Sequence, residues 1–445
     1  MARWWWVAGV VATCAVAQEE PKARARVSTS ADLTPRFERY VTKNGMVVLL
    51  APDERTNHVV VDLSFAAGAL HQPAKKAGLA HLTEHVVATG IDTDYQAILE
   101  ARGGVGFNAF TSPDRMNFRV AVPPEELPLA LWVDADRLGT LRDATLERDA
   151  LLRHQRIAAQ ERIHRVDDAA YGGNVVATLR HLFPDGHPLH TGVIGSRDEI
   201  LALAPADVLA FARRHLVPAN SVLTIVGRFS PELAKAEVER LFADLPAGEA
   251  APAPPRPPLA PPSKVTVTED LGRRSKVTLA WNLAEPMADV SEALAFGSLL
   301  LTIYTDGFVG MHVEASYLPL AQGAMFTLEV TMPHATDKLD ALGNAEVVFR
   351  FLARAPMPKE LVGATFLAWD RALMERLQSP EALATLLVNE ELRPREPSLQ
   401  LSGFERHWAL TPDAIQELTA AALKAPHLTV LARPTRPLPR RELRQ

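Results

Sequence analysis

Hydrophobic and polar positions recur in short blocks along the first half of the chain, and they predict both strands and helices. Apolar runs predict strands at "VVLLAPD", "HVVVDLSFAAG", "NAFT" and "RMNFRVAV", with a turn at Asn44-Gly45 ahead of the first. Apolar positions three and four apart predict helices over Gly78–Ala88, Tyr95–Ala101 and Pro124–Leu138, and a long helix from Leu146 to about Tyr171. Because hairpins are mixed with helices without regular alternation, the α+β class is favoured.

A similar helix–strand pattern occurs near the end of each half of the chain. Residues 203–226 and 410–431 both contain Leu-x-Pro, then apolar residues at helical spacing, then a short β-branched strand. This similarity predicts an internal duplication, and two unrelated αβ units are the alternative.

A proline-rich segment separates the two halves. Residues 246–263 contain eight prolines, which exclude a helix or a central strand and predict a stiff linker. We therefore expect a first domain at 35–245 and a homologous second domain at 264–437. Each is predicted to be an antiparallel sheet packed against helices.

Composition narrows the function class only a little. The chain has 445 residues, of which 47% are hydrophobic and 22% charged, and its net charge is −6. These values are typical of a globular protein with a large core. No basic cluster favours nucleic-acid binding, and no segment predicts a membrane span.

The first 17 residues differ from the rest. An apolar stretch from Trp4 to Ala17 ends in Ala15-Val16-Ala17, which is typical of a signal-peptide cleavage site. A buried N-terminal helix is the alternative, and a lipoprotein anchor at Cys14 fits less well because threonine precedes the cysteine. The sequence thus predicts an exported protein, in a bacterial periplasm.

The segment "GLAHLTEHVVATG" carries the clearest chemistry. His81 and His85 are four residues apart, so on a helix their rings lie on one face, with Glu84 beside them. Two such imidazoles can chelate zinc, and the carboxylate can take a proton from water. The order H-x-x-E-H is the inverted form of a common zinc-peptidase motif. A solvated helix face with two chance histidines is the alternative.

The motif and its surroundings resemble the insulinase/pitrilysin family of metallopeptidases, which includes the mitochondrial processing peptidases. The resemblance extends to "NGMVVLL", "GGVGFNAFTSPDRMNF" and "LFPDGHPLHTGVIGS", in the family's order. It implies one zinc ion per chain, held by His81, His85 and Glu161, which lies 76 residues after His85. Without the resemblance, a charge on a helix surface is the favoured interpretation of Glu161. The resemblance also implies that Glu84 is the general base, and that Asn108 and Ala109 lie on an edge strand that pairs with peptide substrate.

Three positions depart from the family pattern. The family usually has a glutamate seven residues before the third ligand, where this chain has His154. The family also grips substrate with an arginine and a tyrosine from a second half or a partner. The matching segment here, "ASYLPLAQ", places Ala315 and Gln322 at those positions. We therefore expect a homologous partner subunit that supplies the clamp, and the competing class is a non-catalytic scaffold subunit.

Other motifs point to no chemistry. His164, His187, His190 and His215 lack ligand spacing and are expected to be solvent-facing or structural. Residues 104–109 fit the dinucleotide pattern G-x-G-x-x-A, but they follow a predicted helix and lead into a turn, which that motif does not allow.

Overall fold

The structure is a computed structural model that describes residues 35–254, 256, 258, 263–269, 271–283, 311–333, 338–354, 358–392 and 410–435. The predicted signal peptide, Cys14 and part of the proline-rich linker lie outside these residues. None of the helices in the described part of the chain has the length and apolar character that crossing a bilayer requires.

Residues 35–254 form a mixture of strands and helices, as predicted. In chain order the elements are β1 (Glu38–Val41), β2 (Val47–Pro52), β3 (Val59–Phe65), α1 (Leu79–Thr89), α2 (Tyr95–Glu100), β4 (Val105–Thr111), β5 (Met116–Val122), α3 (Leu127–Thr140), α4 (Arg148–Arg162), α5 (Gly172–Leu182), α6 (Arg197–Ala202), α7 (Pro205–His215), β6 (Ser221–Gly227) and α8 (Pro231–Phe242). All but the first residue of the glycine-rich segment at 104–109 lie in strand β4, and the segment opens no helix, in agreement with the rejection of a dinucleotide motif.

The described part of the second half repeats this mixture. Its elements are β7 (Ser263–Glu269), β8 (Lys276–Leu283), β9 (His312–Pro319), β10 (Ala324–Thr331), α9 (Lys338–Arg354), α10 (Lys359–Leu377), α11 (Pro380–Leu392), α12 (Pro412–Lys424) and β11 (Leu428–Pro434).

The two sheets share one topology. The first has the order β1-β2-β6-β3-β5-β4 and the second β7-β11-β8-β10-β9. We leave out the additional β1 and number the five remaining strands of each half along the chain. Both sheets then have the strand order first, fifth, second, fourth, third. The repeated sequence pattern falls on α7 with β6 and on α12 with β11, at the same place in each sheet. The predicted α+β class with two similar domains is confirmed.

Both sheets are mixed, whereas the sequence predicted antiparallel ones. β2 pairs with β6 in parallel, and β7 pairs with β11 in parallel, while the other pairings among the described strands are antiparallel. Parallel neighbours need a long connection. Here the elements between β2 and β6, and those between β7 and β11, form that connection.

The main core lies between one face of the first sheet and its helices. Leu63 and Phe118 from the sheet pack with Leu82 of α1, Leu131 of α3 and Phe211 of α7, and all five are almost fully buried. Strand β3, in the interior of the sheet, is buried along its whole length. Strand β4 lies at the edge, with an irregular register between Val105 and Asn108.

Each half contributes one helix to the other half's sheet. Helix α11 packs on the second face of the first sheet, where Leu383 and Leu387 contact Val60 and Val222. Helix α5 packs on the second sheet, where Ala177 and Leu182 join Ala280 and Val430 in one cluster.

Polar bonds reinforce this exchange. Arg119 donates to the Thr385 hydroxyl at 2.9 Å, and Asn174 donates to the Thr278 hydroxyl at 2.9 Å. The two halves are therefore joined through reciprocal helices as well as through the linker.

The predicted long helix from Leu146 to Tyr171 was too long. Helix α4 ends at Arg162, one π-helical turn follows over Ile163–Asp167, and Tyr171 adopts a left-handed backbone before α5. The buried Arg162 side chain donates to Asp167 and to the Thr191 and Gly195 carbonyls. Its guanidinium fixes the chain at the place where the regular helix stops.

Candidate metal centre

Helix α1 is positioned by its first residues. Gly78 has a φ of +84°, and a Cβ there would lie 2.4 Å from the Ile194 carbonyl oxygen, so a side chain is excluded on both grounds. The Ala80 amide donates to the Gln72 side chain at 3.2 Å, which satisfies one of the unpaired amides of the first turn. Leu79, Leu82 and Val86 then bury the apolar face of the helix.

The two motif histidines lie on one face of α1, as predicted. The rings of His81 and His85 are nearly perpendicular, with centroids 4.6 Å apart, and their Nε2 atoms are 3.3 Å apart. His81 is 6% exposed. Both Nε2 atoms thus converge on one point.

Helix α4 brings Glu161 to this point, because α4 packs against α1. Arg162, the next residue, donates to the carbonyls of Thr191 and Gly195. Gly195 also packs tightly against Ala77 at the start of α1. The loop at 191–195 therefore contacts both the end of α4 and the start of α1 and fixes their relative positions. No pattern in the sequence marks Arg162 as an anchor of the site.

The three predicted ligands form a compact triangle. The Glu161 Oε2 atom lies 3.4 Å from His81 Nε2 and 3.2 Å from His85 Nε2. In a tetrahedral zinc site with bonds of about 2.0–2.1 Å, ligand atoms lie about 3.3 Å apart. The donor set and its spacing therefore fit zinc. Among the residues that the structure describes, this is the one group of three His, Cys or acidic side chains close enough to share an ion.

The electrostatics of Glu161 favour a ligand. Hydrogen bonds from His81 and then from His85 hold the pKa of Glu161 well below its usual range, although burial acts in the opposite direction. The carboxylate is therefore ionised at neutral pH. Arg165 binds the other carboxylate oxygen, Oε1, at 2.9 Å. Oε2 is left to face the histidines.

Glu84 lies beside the triangle without joining it. It is 8% exposed, and its Oε2 accepts a hydrogen bond from the Thr111 hydroxyl at 2.6 Å. Thr111 is the last residue of β4. The apolar pattern of "NAFT" predicts a strand but gives no role for its threonine.

Asn108 and Ala109 lie on the edge strand β4, where they were predicted to lie. Asn108 is exposed, whereas Ala109 is half-buried against the main core. β4 pairs only with β5 among the described strands. Its second edge has no pairing with any other strand that the structure describes.

His154 lies near the site on the same helix as Glu161. It is half-buried, and burial followed by the neighbouring His85 lowers its pKa below the usual value. At neutral pH it is an uncharged imidazole where the family has a carboxylate.

The predicted clamp positions fall in unrelated surroundings. Ala315 is on the edge strand β9 and packs against the core of the second sheet. Gln322 is in the turn between β9 and β10 and accepts a hydrogen bond from Arg256 at 3.3 Å. The two side chains thus do not form a pair.

His164, His187, His190 and His215 do not join the ligand triangle, as predicted. His215 is buried against the Phe211 and His71 rings, and His187 stacks on Phe183. His190 bonds to the Phe183 carbonyl, while His164 is exposed and pairs with Gln160.

Comparison with known proteins identifies the group to which this chain is related. The profile described as Insulinase (Peptidase family M16) matches residues 47–187, and the profile described as Peptidase M16 inactive domain matches residues 202–303. The chain belongs to the M16 family of peptidases. The first match contains His81, Glu84, His85 and Glu161, so the triangle lies in the part that resembles the insulinase domain.

Curated M16 relatives carry peptidase names. The chain is 27% identical over 216 residues to "Zinc protease PqqE" of Helicobacter pylori, a match covering 46% of this chain and 48% of that protein. It is 26% identical over 233 residues to "Probable mitochondrial-processing peptidase subunit beta" of Schizosaccharomyces pombe, covering 51% of this chain and 49% of the relative. The chain thus spans about half the length of the curated M16 relatives that it matches.

Solved M16 structures share the fold over nearly the whole chain. A protease from Helicobacter pylori superposes with a TM-score of 0.79 at 19% identity, covering 90% of this chain and all of that one. The periplasmic protease PqqL from Escherichia coli superposes with a TM-score of 0.73 at 16% identity, covering 92% of this chain and 49% of PqqL.

Proposed function

We propose that this chain is a zinc-dependent endopeptidase that hydrolyses peptides or unfolded polypeptides. The observation that carries the proposal is the triangle of His81, His85 and Glu161, whose ligand atoms lie 3.2–3.4 Å apart. Three protein ligands leave a fourth position open, which is typical of catalytic zinc sites rather than structural ones. Relatives named zinc proteases support the same proposal.

The metal ligands and the general base would have separate roles. His81, His85 and Glu161 would hold one zinc ion, which would polarise the scissile carbonyl group and lower the pKa of water. Glu84 accepts the proton of the attacking water and delivers it to the amine that leaves. A carboxylate that lies beside the ligand triangle and is held by Thr111 suits this role.

The open edge of β4 supports a peptide substrate. An extended chain can pair with an edge strand through main-chain hydrogen bonds, which require no particular side-chain sequence. Asn108 and Ala109 would then align substrate, and Thr111 ends the strand at Glu84. The scissile bond would thus lie where the strand meets the metal centre.

Metal content is the decisive test of the proposed centre. Purified wild type should contain about one zinc per chain and should cleave unfolded polypeptides until a chelator is added. His85→Ala should lose both zinc and cleavage, whereas His164→Ala, which changes an exposed histidine outside the triangle, should lose neither. Cleavage that survives both the chelator and His85→Ala would contradict the proposal.

Two finer features belong to the same proposal. We take residues 1–17 as a signal peptide and the periplasm as the compartment, supported by the Ala15-Val16-Ala17 pattern and by the periplasmic relative PqqL. We also take a homologous partner subunit as the source of the Arg/Tyr clamp, since Ala315 and Gln322 cannot act as one. A non-catalytic scaffold subunit is the alternative, and zinc-dependent turnover separates the two.

A further inference from the structure

A hydrogen bond links the predicted substrate strand to the predicted general base. The Thr111 hydroxyl donates to Glu84 Oε2 at 2.6 Å, and the two residues are 6% and 8% exposed. No hydrogen bond to Glu84 Oε1 is present among the residues that the structure describes. One carboxylate oxygen is therefore held, and the other is available to accept a proton.

Thr111 is itself held firmly from the other side. The turn that follows it is closed by the bond from the Ser112 amide to the Arg115 carbonyl at 2.7 Å. The amides of Ala69 and Leu70 donate to the carbonyls of Ser112 and Pro113 at 3.1 and 2.6 Å. This turn is therefore bonded to the segment that precedes α1.

The segment at Gly68 and the turn that begins at Ser112 are in close contact. A Cβ at Gly68 would lie 2.3 Å from the Ser112 carbonyl oxygen, so only glycine fits there. Helix α1 also packs directly against β4. The hydroxyl of Thr111 and the carboxylate of Glu84 are thus fixed by rigid elements on both sides.

We propose that Thr111 is the positioning residue of Glu84, and that it aligns the base with a peptide lying along β4. This inference rests on the proposed peptidase function. Thr111 would touch neither the metal nor the reacting atoms. It would fix the rotamer of Glu84 so that Oε1 points at the attacking water, since small errors in the orientation of a base cost much of its effect.

Four variants test the inference. Thr111→Val keeps the β-branched shape and removes the hydroxyl, whereas Thr111→Ser keeps the hydroxyl. Thr83→Val is the matched control, because Thr83 is a buried neighbour of Glu84 whose hydroxyl bonds to the Leu79 carbonyl of its own helix. Glu84→Gln provides the background in which no base is left to position.

Thr111→Val should lower kcat by about tenfold or more with KM and zinc content unchanged, because a misplaced base weakens only the chemical step. Thr111→Ser should recover most of kcat, and Thr83→Val should stay close to wild type. In the Glu84→Gln background, Thr111→Val should cause no further loss. The dissociation constant for an uncleaved peptide should also be the same with and without Thr111→Val.

Several results would overturn the inference. Wild-type turnover by Thr111→Val, or failure of Thr111→Ser to recover it, would show that the hydroxyl does not position the base. If Thr111→Val lowered kcat by the same factor in wild type and in Glu84→Gln, Thr111 would have only a structural role. If wild type binds zinc but cleaves no peptide, the proposed function fails and this inference fails with it, whereas a cleaving wild type with an equally active Thr111→Val rejects only the inference.

Discussion

Arg165 and Glu161 form an ion pair one helical turn apart, with 2.9 Å between Arg165 Nη1 and Glu161 Oε1. The pair fixes which oxygen of the third ligand faces the histidines. Arg165 lies on the π-helical turn that follows α4, so the irregular end of this helix contributes to the orientation of the ligand. Groups outside the ligand shell commonly orient metal ligands in this way.

Removal of this carboxylate should weaken the metal site without unfolding the protein. Glu161→Gln should lower zinc affinity by at least about tenfold, since a charged ligand is lost. Asp149→Asn, an exposed change on the same helix, should leave zinc binding intact and change stability by less than about 0.5 kcal/mol. Zinc titration with thermal unfolding measures both effects. Equal zinc affinity in the two variants would place the third ligand elsewhere.

Glu84→Gln should separate metal binding from chemistry. The carboxylate lies outside the ligand triangle and bonds to Thr111, so the amide should leave about one zinc per chain and the fold unchanged. Because an amide cannot accept the proton of the attacking water, kcat should fall by about 100-fold or more. Cleavage at the wild-type rate would remove Glu84 from the mechanism.

His154→Glu should strengthen the metal site. His154 is an uncharged neighbour of His85 at neutral pH, and a carboxylate there would add a negative charge near the cation. We expect zinc affinity to rise by up to about tenfold. His154→Gln, which adds no charge, is the control. A rise of the same size in both variants would show that charge is not the cause.

A buried histidine, His215, and its half-buried neighbour His71 should make stability depend on pH. Burial, followed by His71 and Arg214, lowers the pKa of His215 to about 4 from its usual 6.5. His71, beside it, has a pKa lowered by burial, and Asp114 acts on it in the opposite direction. The unfolded chain therefore binds more protons than the folded chain between about pH 6.5 and pH 4.

Stability should fall as the pH drops through this window, by up to about 3 kcal/mol for His215 alone. His215→Phe keeps a ring beside Phe211 and removes the titrating group, so its stability should fall less steeply. Both proteins are compared in a chelator, so that titration of the metal ligands does not differ between them. Parallel pH profiles would refute the assignment.

The partner prediction needs a reconstitution experiment. If the substrate clamp comes from a homologous subunit, the purified single chain should show weak peptidase activity that co-expression with such a homologue increases by about tenfold or more. Full activity from a strictly monomeric preparation would exclude a partner. Full activity from a homodimer would show that the clamp lies elsewhere in this chain.

The sequence was most informative where chemistry is local. The spacing of His81 and His85 on one helix predicted their convergence directly. Glu161 could be placed only through resemblance to a family, because the packing of α4 on α1 brings together residues that are 76 apart in the chain. The prediction of two similar halves was also correct, because each helix–strand pattern is a contiguous segment of the sequence.

The features that were missed depend on long-range packing. The bond from Thr111 to Glu84 joins the end of a strand to a helix, and no local pattern marks it. The parallel pairings of β2 with β6 and of β7 with β11 arise from the closure of each half. The early end of α4 depends on carbonyl groups of a later loop that bind Arg162.

The exchange of α5 and α11 changes what a cut in the linker would do. After a protease cleaves near Pro252, each fragment would still have one helix packed on the face of the other fragment's sheet. The fragments would stay together in native conditions and separate only on denaturation. A gel run under denaturing conditions would then show two bands from a protein that still migrates as one species through a sizing column.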